Sequence, residues 1–148
     1  MSDDLDTLAR TLWAEARGEG QSGMTAVAAV IANRVTAAAR YRAKWRTPHV
    51  LYGDGTFKSA CKRAFQFSCW NANDPNLPKL EAVTNEDPAF RAAMAISQEA
   101  IDGTLVDPTG GATHYLTKLA FDRAPAGHWC KRKPPLCTVG NHIFFKDP

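Results

Sequence analysis

The chain has 148 residues, 45% of them hydrophobic and 22% charged, which suits one folded domain and excludes a disordered chain. Eighteen Lys plus Arg against fifteen Asp plus Glu leave a net charge of +3, too mild for a dedicated nucleic-acid binder. No apolar run approaches the ~20 residues that span a bilayer, and the acidic start Met1-Ser2-Asp3-Asp4 lacks the basic and apolar regions of a secretory leader.

Leu5, Leu8, Ala9, Leu12, Trp13 and Ala16 recur at helical spacing and predict an amphipathic helix over 5–16. Gly18 and Gly20 interrupt it. Ser22 is placed to cap a second helix running to about Ala39, with Met24, Val27, Val30, Ile31, Val35 and Ala38 on its apolar face. Gly, Pro, Asn and Asp dominate from 47 to 86, predicting short helical turns near 57–64 and a loop over 71–79. Asp87 as cap, Pro88 in the first turn and Gly103 as stop bracket a third helix over 88–102. Its inner face carries Phe90, Ala93, Met94, Ser97 and Ile101. Ala112, His114 and Leu116 alternate with Thr113, Tyr115 and Thr117 and predict a short strand; Val139 to Phe145 predicts another. The fold class is mainly α, of the α+β kind, with a small β element, and nothing divides residues 1–148 into two domains.

Four cysteines, Cys61, Cys69, Cys130 and Cys137, lack zinc-finger spacing. If they are oxidised, the short loops Cys61–Cys69 and Cys130–Cys137 are the most economical pairing; free buried thiols are the alternative. Arg40, Arg42, Lys44 and Arg46 surround Tyr41 and Trp45, and Lys131-Arg132-Lys133 forms a second basic group. Each is either a solvated face or a contact for a polyanion.

Trp13-Ala14-Glu15-Ala16-Arg17-Gly18-Glu19-Gly20 is the most informative segment. Glu15 and Glu19 stand one helical turn apart, on one face of a continued helix. Glu15 borders Leu8 and Leu12, and Glu19 falls inside the stripe itself. A carboxylate against apolar walls has a raised pKa, the property a general acid needs near neutral pH. A solvated pair beside Arg17 is the plain alternative. Arg34 lies on the apolar stripe of the second helix, and a buried arginine needs a partner. Glu19 is the natural candidate, which leaves Glu15 free for chemistry.

Ala14-Glu15-Ala16-Arg17-Gly18-Glu19, then Gly23 and Ala26 to Val35, resembles the opening motif of the SleB-type cell wall hydrolases. Gln66-Phe67-Ser68, Gly111-Ala112-Thr113-His114-Tyr115, Trp129 and Gly140 to Phe145 extend the resemblance over nearly the whole chain. The resemblance implies a compact lysozyme-like, resuscitation-factor-like helical fold. It implies cleavage of the β-1,4 bond between N-acetylmuramic acid and N-acetylglucosamine, with the catalytic glutamate at Glu15 and the second acidic position at Glu19. The spore members carry an N-terminal peptidoglycan-binding domain and a leader, whereas this chain has a longer stretch from Tyr41 to Ala64 and a Cys-rich end. We expect a single catalytic domain acting as a phage or prophage endolysin: a monomer made in the bacterial host cytoplasm that reaches the wall through a holin-type lesion, with no nucleic acid, no membrane insertion and no cofactor or metal.

Glycosidases that hydrolyse use two carboxylates, about 5–5.5 Å apart if retaining and about 6.5–9.5 Å apart if inverting. If Arg34 holds Glu19, only Glu15 is available. It can protonate the leaving oxygen while the muramic 6-hydroxyl attacks from within the same molecule. A lytic transglycosylase is therefore the first expectation. A muramidase using Asp54, Asp74 or Glu19 as second carboxylate is its competitor. Phe67, Ser68, Trp70, His114 and Tyr115 are the expected sugar-binding residues, and Trp13, Trp45 and Trp129 are assigned to packing. Two other readings stay open. His49, His114, His128 and His142 suit a zinc amidase if they converge in space, and the basic clusters suit a binding module without catalysis.

Overall fold

The computed structural model describes residues 2–147. Helix α1 spans Asp3–Ala16 and is capped by the Ser2 side chain, which accepts from the Leu5 amide. Its stripe of Leu8, Ala9, Leu12, Trp13 and Ala16 is buried against α2 (Gly20–Trp45) and α5 (Pro88–Asp102). Asp87 caps α5 by accepting from the Phe90 amide, and Gly103 ends it, as the sequence predicts. Ile96 and Ala100 join Phe90, Ala93 and Ser97 on the buried face, while Met94 and Ile101 are half-buried. Complete burial of a side chain such as Phe90 contributes about 1.5–3 kcal/mol.

The second helix differs from expectation at both ends. Ser22 does not cap it; a 3-10 turn over Arg17–Glu19 leads straight into Gly20. It also continues past Ala39 to Trp45, because Arg40 to Lys44 are competent helix formers and no breaker stands before Thr47-Pro48. Arg46 closes the helix in the left-handed region, its amide donating to the Arg42 carbonyl. The basic cluster is thus the exposed last two turns of α2.

Short α3 (Phe57–Lys62), a 3-10 turn (Ser68–Trp70) and α4 (Leu77–Ala82) occupy the Gly- and Pro-rich stretch. The expected loop over 71–79 therefore ends at Asn76, where Pro78 enters the first turn of α4. Strands β1 (His114–Thr117), β2 (Cys137–Val139) and β3 (His142–Phe145) form an antiparallel sheet in the order β1-β3-β2. Tyr115 pairs with Phe144, and Cys137 pairs with Phe144 from the other side. The run expected as one strand from Val139 to Phe145 is broken by the Gly140-Asn141 turn. Two helices unforeseen from the sequence, α6 (Lys118–Arg123) and α7 (Trp129–Arg132), fill the crossover between β1 and β2. Ala26 and Val30 of α2 pack with Ala112 and Phe144, so one helix serves both the helical core and the sheet.

All four cysteines are free, so of the two alternatives the free thiols hold and neither short-loop cross-link is made. Cys61 and Cys69 belong to the helical core as small apolar side chains, and burial pushes each thiol up to about 12. No helix among the described residues is long and apolar enough to cross a membrane. Reductant should leave the thermal unfolding midpoint unchanged. Four thiols should react with a disulfide reagent in denaturant without prior reduction, and a drop in midpoint with reductant would count against the free state.

Candidate active site

Glu15 sits in the last turn of α1, where the negative end of the helix dipole disfavours a second negative charge. Arg17 closes that turn by donating to the Trp13 and Ala14 carbonyls at 3.1 and 3.2 Å, its guanidinium 4.1 Å from the Trp13 ring. Glu15 opens onto a cleft of about 440 Å³ that it shares with Arg34 of α2, Tyr115 of β1 and the loop residues Phe65 to Ser68 and Asn71. The 3-10 turn that carries this loop is pinned to α1, because Trp70 donates its indole N–H to Thr11 at 2.9 Å.

Burial pushes the Glu15 carboxyl above the ordinary carboxylate range, and the Asp74 charge pushes the same way. The Cys69 thiol, the Tyr115 hydroxyl and the Arg34 guanidinium favour the charged form without cancelling the rise. The Tyr115 phenol is itself held neutral, chiefly by burial and then by Glu15. A carboxyl group so placed can give a proton to a leaving oxygen and take one back.

Arg34 is 5% exposed and is the hub of the cleft. Its Nε donates to the Thr113 carbonyl at 2.6 Å and its Nη1 to Gln66 Oε1 at 3.1 Å. The guanidinium lies over the Tyr52 and Phe67 rings at 5.5 and 5.3 Å. It thus ties α2 to the loop and to the lead-in of β1.

The expected Arg34–Glu19 pair is absent. Ala16, at φ −142°, breaks the helical path, so Glu19 never continues the α1 stripe. Its carboxylate instead accepts from the Asn141 amide at 3.0 Å, in the turn between β2 and β3. Two glycines make room for it. A Cβ on Gly23 would collide with the Glu19 Cβ, and one on Gly140, which is at φ 56°, would collide with the Glu19 carboxylate. Arg34 finds neutral acceptors on chain segments far along the sequence, which periodicity cannot reveal.

Of the expected sugar-binding residues, Phe67, Ser68 and Tyr115 line the cleft. Trp70 does not; its indole bonds Thr11 and its ring lies under the Lys62 ammonium at 4.5 Å. His114 does not either. It faces a second groove behind Arg34 and Tyr52, and burial lowers its pKa to about 4. Of the expected packing residues, Trp13 is in the core and Trp129 stands 5.1 Å edge-on to Phe145, while Trp45 is 59% exposed. Phe65, Gln66, Asn71 and Arg34 are cleft residues that the sequence reading did not assign to substrate. Phe65 is wholly exposed and sits at φ 68°, a strained conformation for an aromatic residue. Gln66 could have been found by asking what Arg34 bonds; Phe65 carries no signal in its neighbours.

Asp54, a candidate second carboxylate, accepts from Thr56 and lines a different pocket. Asp74 accepts from the Asn76 amide and acts on Glu15 through its charge. His49 and His114 flank Tyr52, His128 contacts Cys130 and His142 stacks edge-on with Tyr115. Among the described residues, no three His, Cys, Asp or Glu side chains are placed to hold a metal ion.

A small sheet lies against a three-helix core, with one acid of raised pKa opening on a cleft between them. The chain belongs to the Cell Wall Hydrolase family, whose profile matches residues 18–145, beginning just after Glu15. It is 31% identical over 144 residues to the spore cortex-lytic enzyme of Oceanobacillus iheyensis, covering 97% of this chain and 42% of that protein. It is 28% identical over 142 residues to that of Halalkalibacterium halodurans, covering 96% of this chain and 34% of that protein. The chain therefore spans less than half the length of these relatives. The catalytic domain of the germination-specific lytic transglycosylase SleB from Bacillus anthracis superposes with a TM-score of 0.67 at 28% identity, covering 99% of this chain and 97% of that one. The SleB catalytic domain from Bacillus cereus gives 0.66 at 30% identity, with 97% and 89% covered. The mainly helical fold with a small sheet, expected from the sequence, is thus the SleB catalytic-domain fold.

Glu15 binds its proton more tightly in the folded than in the unfolded chain, so stability falls as pH rises from the unfolded carboxyl pKa through the folded one. Glu15→Gln should therefore raise the unfolding midpoint at pH 7 and leave it near wild type at pH 3.5, as read by calorimetry. Arg34→Met should cost about 2–4 kcal/mol in denaturant titration, because it orphans the Thr113 carbonyl and Gln66. Glu19→Gln keeps an acceptor for Asn141 and should cost less than about 1 kcal/mol; a loss as large as that of Arg34→Met would restore a link between the two.

Proposed function

We propose that this domain cleaves the β-1,4 bond between N-acetylmuramic acid and N-acetylglucosamine in peptidoglycan as a lytic transglycosylase. The observation that carries the reading is Glu15: one carboxyl of raised pKa, in an open cleft whose other lining groups are neutral or cationic. The name borne by the Bacillus anthracis domain, which shares the fold nearly end to end, supports the same activity.

The steps follow from one acid. Protonated Glu15 gives its proton to the glycosidic oxygen as the bond to the muramic anomeric carbon breaks. The muramic 6-hydroxyl attacks that carbon, and the Glu15 carboxylate takes the hydroxyl proton. The products are a free 4-hydroxyl on the leaving sugar and a 1,6-anhydromuramic end, with Glu15 returned to its acid form. Attack within one sugar needs no positioned water and gains the effective molarity of an intramolecular reaction.

Ser68, Asn71 and Tyr115 supply hydrogen bonds for acetamido and hydroxyl groups, Phe65 supplies an exposed face for a sugar ring, and buried Phe67 shapes the cleft floor beneath Arg34. Arg34 positions the loop and β1 around Glu15. Glu19 acts as a positioning residue for the sheet, through the Asn141 amide. A hydrolytic muramidase is the second reading, favoured by the Asp74 charge felt at Glu15. At the level of the cell we propose a monomeric phage or prophage endolysin, made in the host cytoplasm and reaching the wall through a holin-type lesion, with no cofactor. The net charge of +3 favours approach to an anionic wall.

Mass spectrometry of the soluble fragments from purified peptidoglycan should find anhydromuramic ends. Fragments one water heavier would establish hydrolysis and point to Asp74. Glu15→Gln should lower the release rate by about 10²–10⁴-fold with the fold intact. Phe65→Ala should raise KM about tenfold, the worth of one aromatic contact, and leave kcat nearly unchanged. Coexpression with a holin should be required for lysis of the producing cell; lysis without one would remove the endolysin role.

A further inference from the structure

The second groove has no part in the chemistry above. It encloses about 560 Å³ between the last two turns of α2 and the 49–52 loop, and it adjoins the Glu15 cleft through a common wall. Arg34 lines the cleft and lies under Tyr52, and Tyr52 and His114 line the groove. The groove wall is built to stay in place. His49 Nδ1 accepts from the Leu51 and Tyr52 amides, both at 3.1 Å, which fixes the ring. That ring stacks on Tyr52 at 4.3 Å and 8°, and Tyr41 meets its edge at 4.9 Å.

Three features point to an occupant. Arg40 and Lys44 stand one helical turn apart on the groove side of α2, a like-charge spacing that costs an isolated helix about 0.2–0.5 kcal/mol. Among the described residues neither has an anionic partner. The carboxylate of the lining is Asp147, which accepts from the Thr113 hydroxyl at 3.1 Å and the Tyr52 hydroxyl at 3.4 Å. The groove therefore offers two cations without an anionic partner, Lys44 resting 4.9 Å from the Trp45 ring, one held carboxylate and an aromatic wall. That is the complement of a short peptide with several carboxylates, one amine and small apolar side chains. Peptide-free muramic acid offers one lactyl carboxylate for the two cations and no amine for Asp147.

Resting on the glycan-cleaving reading, we propose that this groove binds the acidic peptide branch that muramic acid carries, beside the strand held at Glu15. Arg40 and Lys44 take its carboxylates, Asp147 takes the side-chain amine of its diamino acid, and the Tyr41–Trp45–His49 wall covers its methyl groups. The domain then acts preferentially on peptide-bearing strands.

The test uses three variants of the whole chain. In the Glu15→Gln background, a soluble disaccharide-tetrapeptide should bind about three- to tenfold more tightly than the peptide-free disaccharide, the range set by exposed charge pairs, and should shift the Trp45 indole resonance. Adding Arg40→Gln with Lys44→Gln should bring the two affinities together. Removing the same charge from α6, by Lys118→Gln with Arg123→Gln, should preserve the difference. Equal affinities in the parent chain would overturn the proposal, as would a preference that survives the Arg40 and Lys44 changes. A preference lost equally in the α6 control would reduce the effect to net charge and also overturn it. Displacement by polyglycerol phosphate but not by the free tetrapeptide would replace the peptide with a wall phosphopolymer. Because these are binding measurements, failure of the chain to release any fragment from peptidoglycan would sink the enzymatic reading by itself, without settling the groove in its favour or against it by default.

Discussion

The buried guanidinium of Arg34 is the constraint on which the rest depends. It sits in the middle of α2 with 5% of its surface exposed, and it reaches two segments that the helices alone would not hold. One is the carbonyl of Thr113, at the entry to β1; the other is the Gln66 amide, in the loop before the 3-10 turn. A charge taken out of water at this depth demands full hydrogen bonding and favourable faces, and the Tyr52 and Phe67 rings complete the shell. The same contacts bring Tyr115 and the 65–68 loop up to Glu15. The placing of the loop and of β1 around the cleft thus rests on one bonded cation.

Several groups share the balance at the acid, and that cation is the least of them. Burial alone would lift the Glu15 pKa without limit on its usefulness, since a group that never ionises cannot return a proton. Cys69, Tyr115 and, least, Arg34 pull against burial and Asp74, and the carboxyl stays above the ordinary carboxylate range. A fold that placed Glu19 on Arg34 would have satisfied the cation with an anion and weakened its pull on Glu15. Seating Glu19 on the Asn141 amide, in a niche bounded by Gly23 and Gly140, keeps the two acids electrically and structurally separate.

What was legible in the sequence follows locality. The α1 and α5 stripes, the Asp87 cap and the Gly103 stop depend on residues within a few positions of one another, and the structure keeps them. Glu15 was legible for the same reason, since its neighbours Leu8 and Leu12 are on its own helix. Most errors came where a choice depends on distant chain, although the start of α2 was misread within a few residues. The start of α2 is set by the backbone at Ala16 rather than by the Ser22 side chain. The partner of Arg34 lies 79 positions away. Trp70 and His114 face away from the cleft because Thr11 and Tyr52 claim them. The cysteines were ambiguous because spacing allows pairing, while burial of Cys61 and Cys69 in an apolar core gives thiols a place without it. Phe65 is visible only once the backbone is known, because its meaning lies in an exposed ring at φ 68°.

The spread of the cleft along the chain has a temporal side. Glu15 and Arg34 emerge early in synthesis, Phe65 to Asn71 at mid-chain, and Tyr115 late; β1 gains its neighbour β3 only when Phe145 has been made. A nascent or truncated chain that ends before Thr113 leaves Arg34 without its shortest bond and Glu15 without its tyrosine. Assembly of the cleft therefore waits on the strands at the far end of the domain, and a fragment cut in its second half lacks part of the cleft wall.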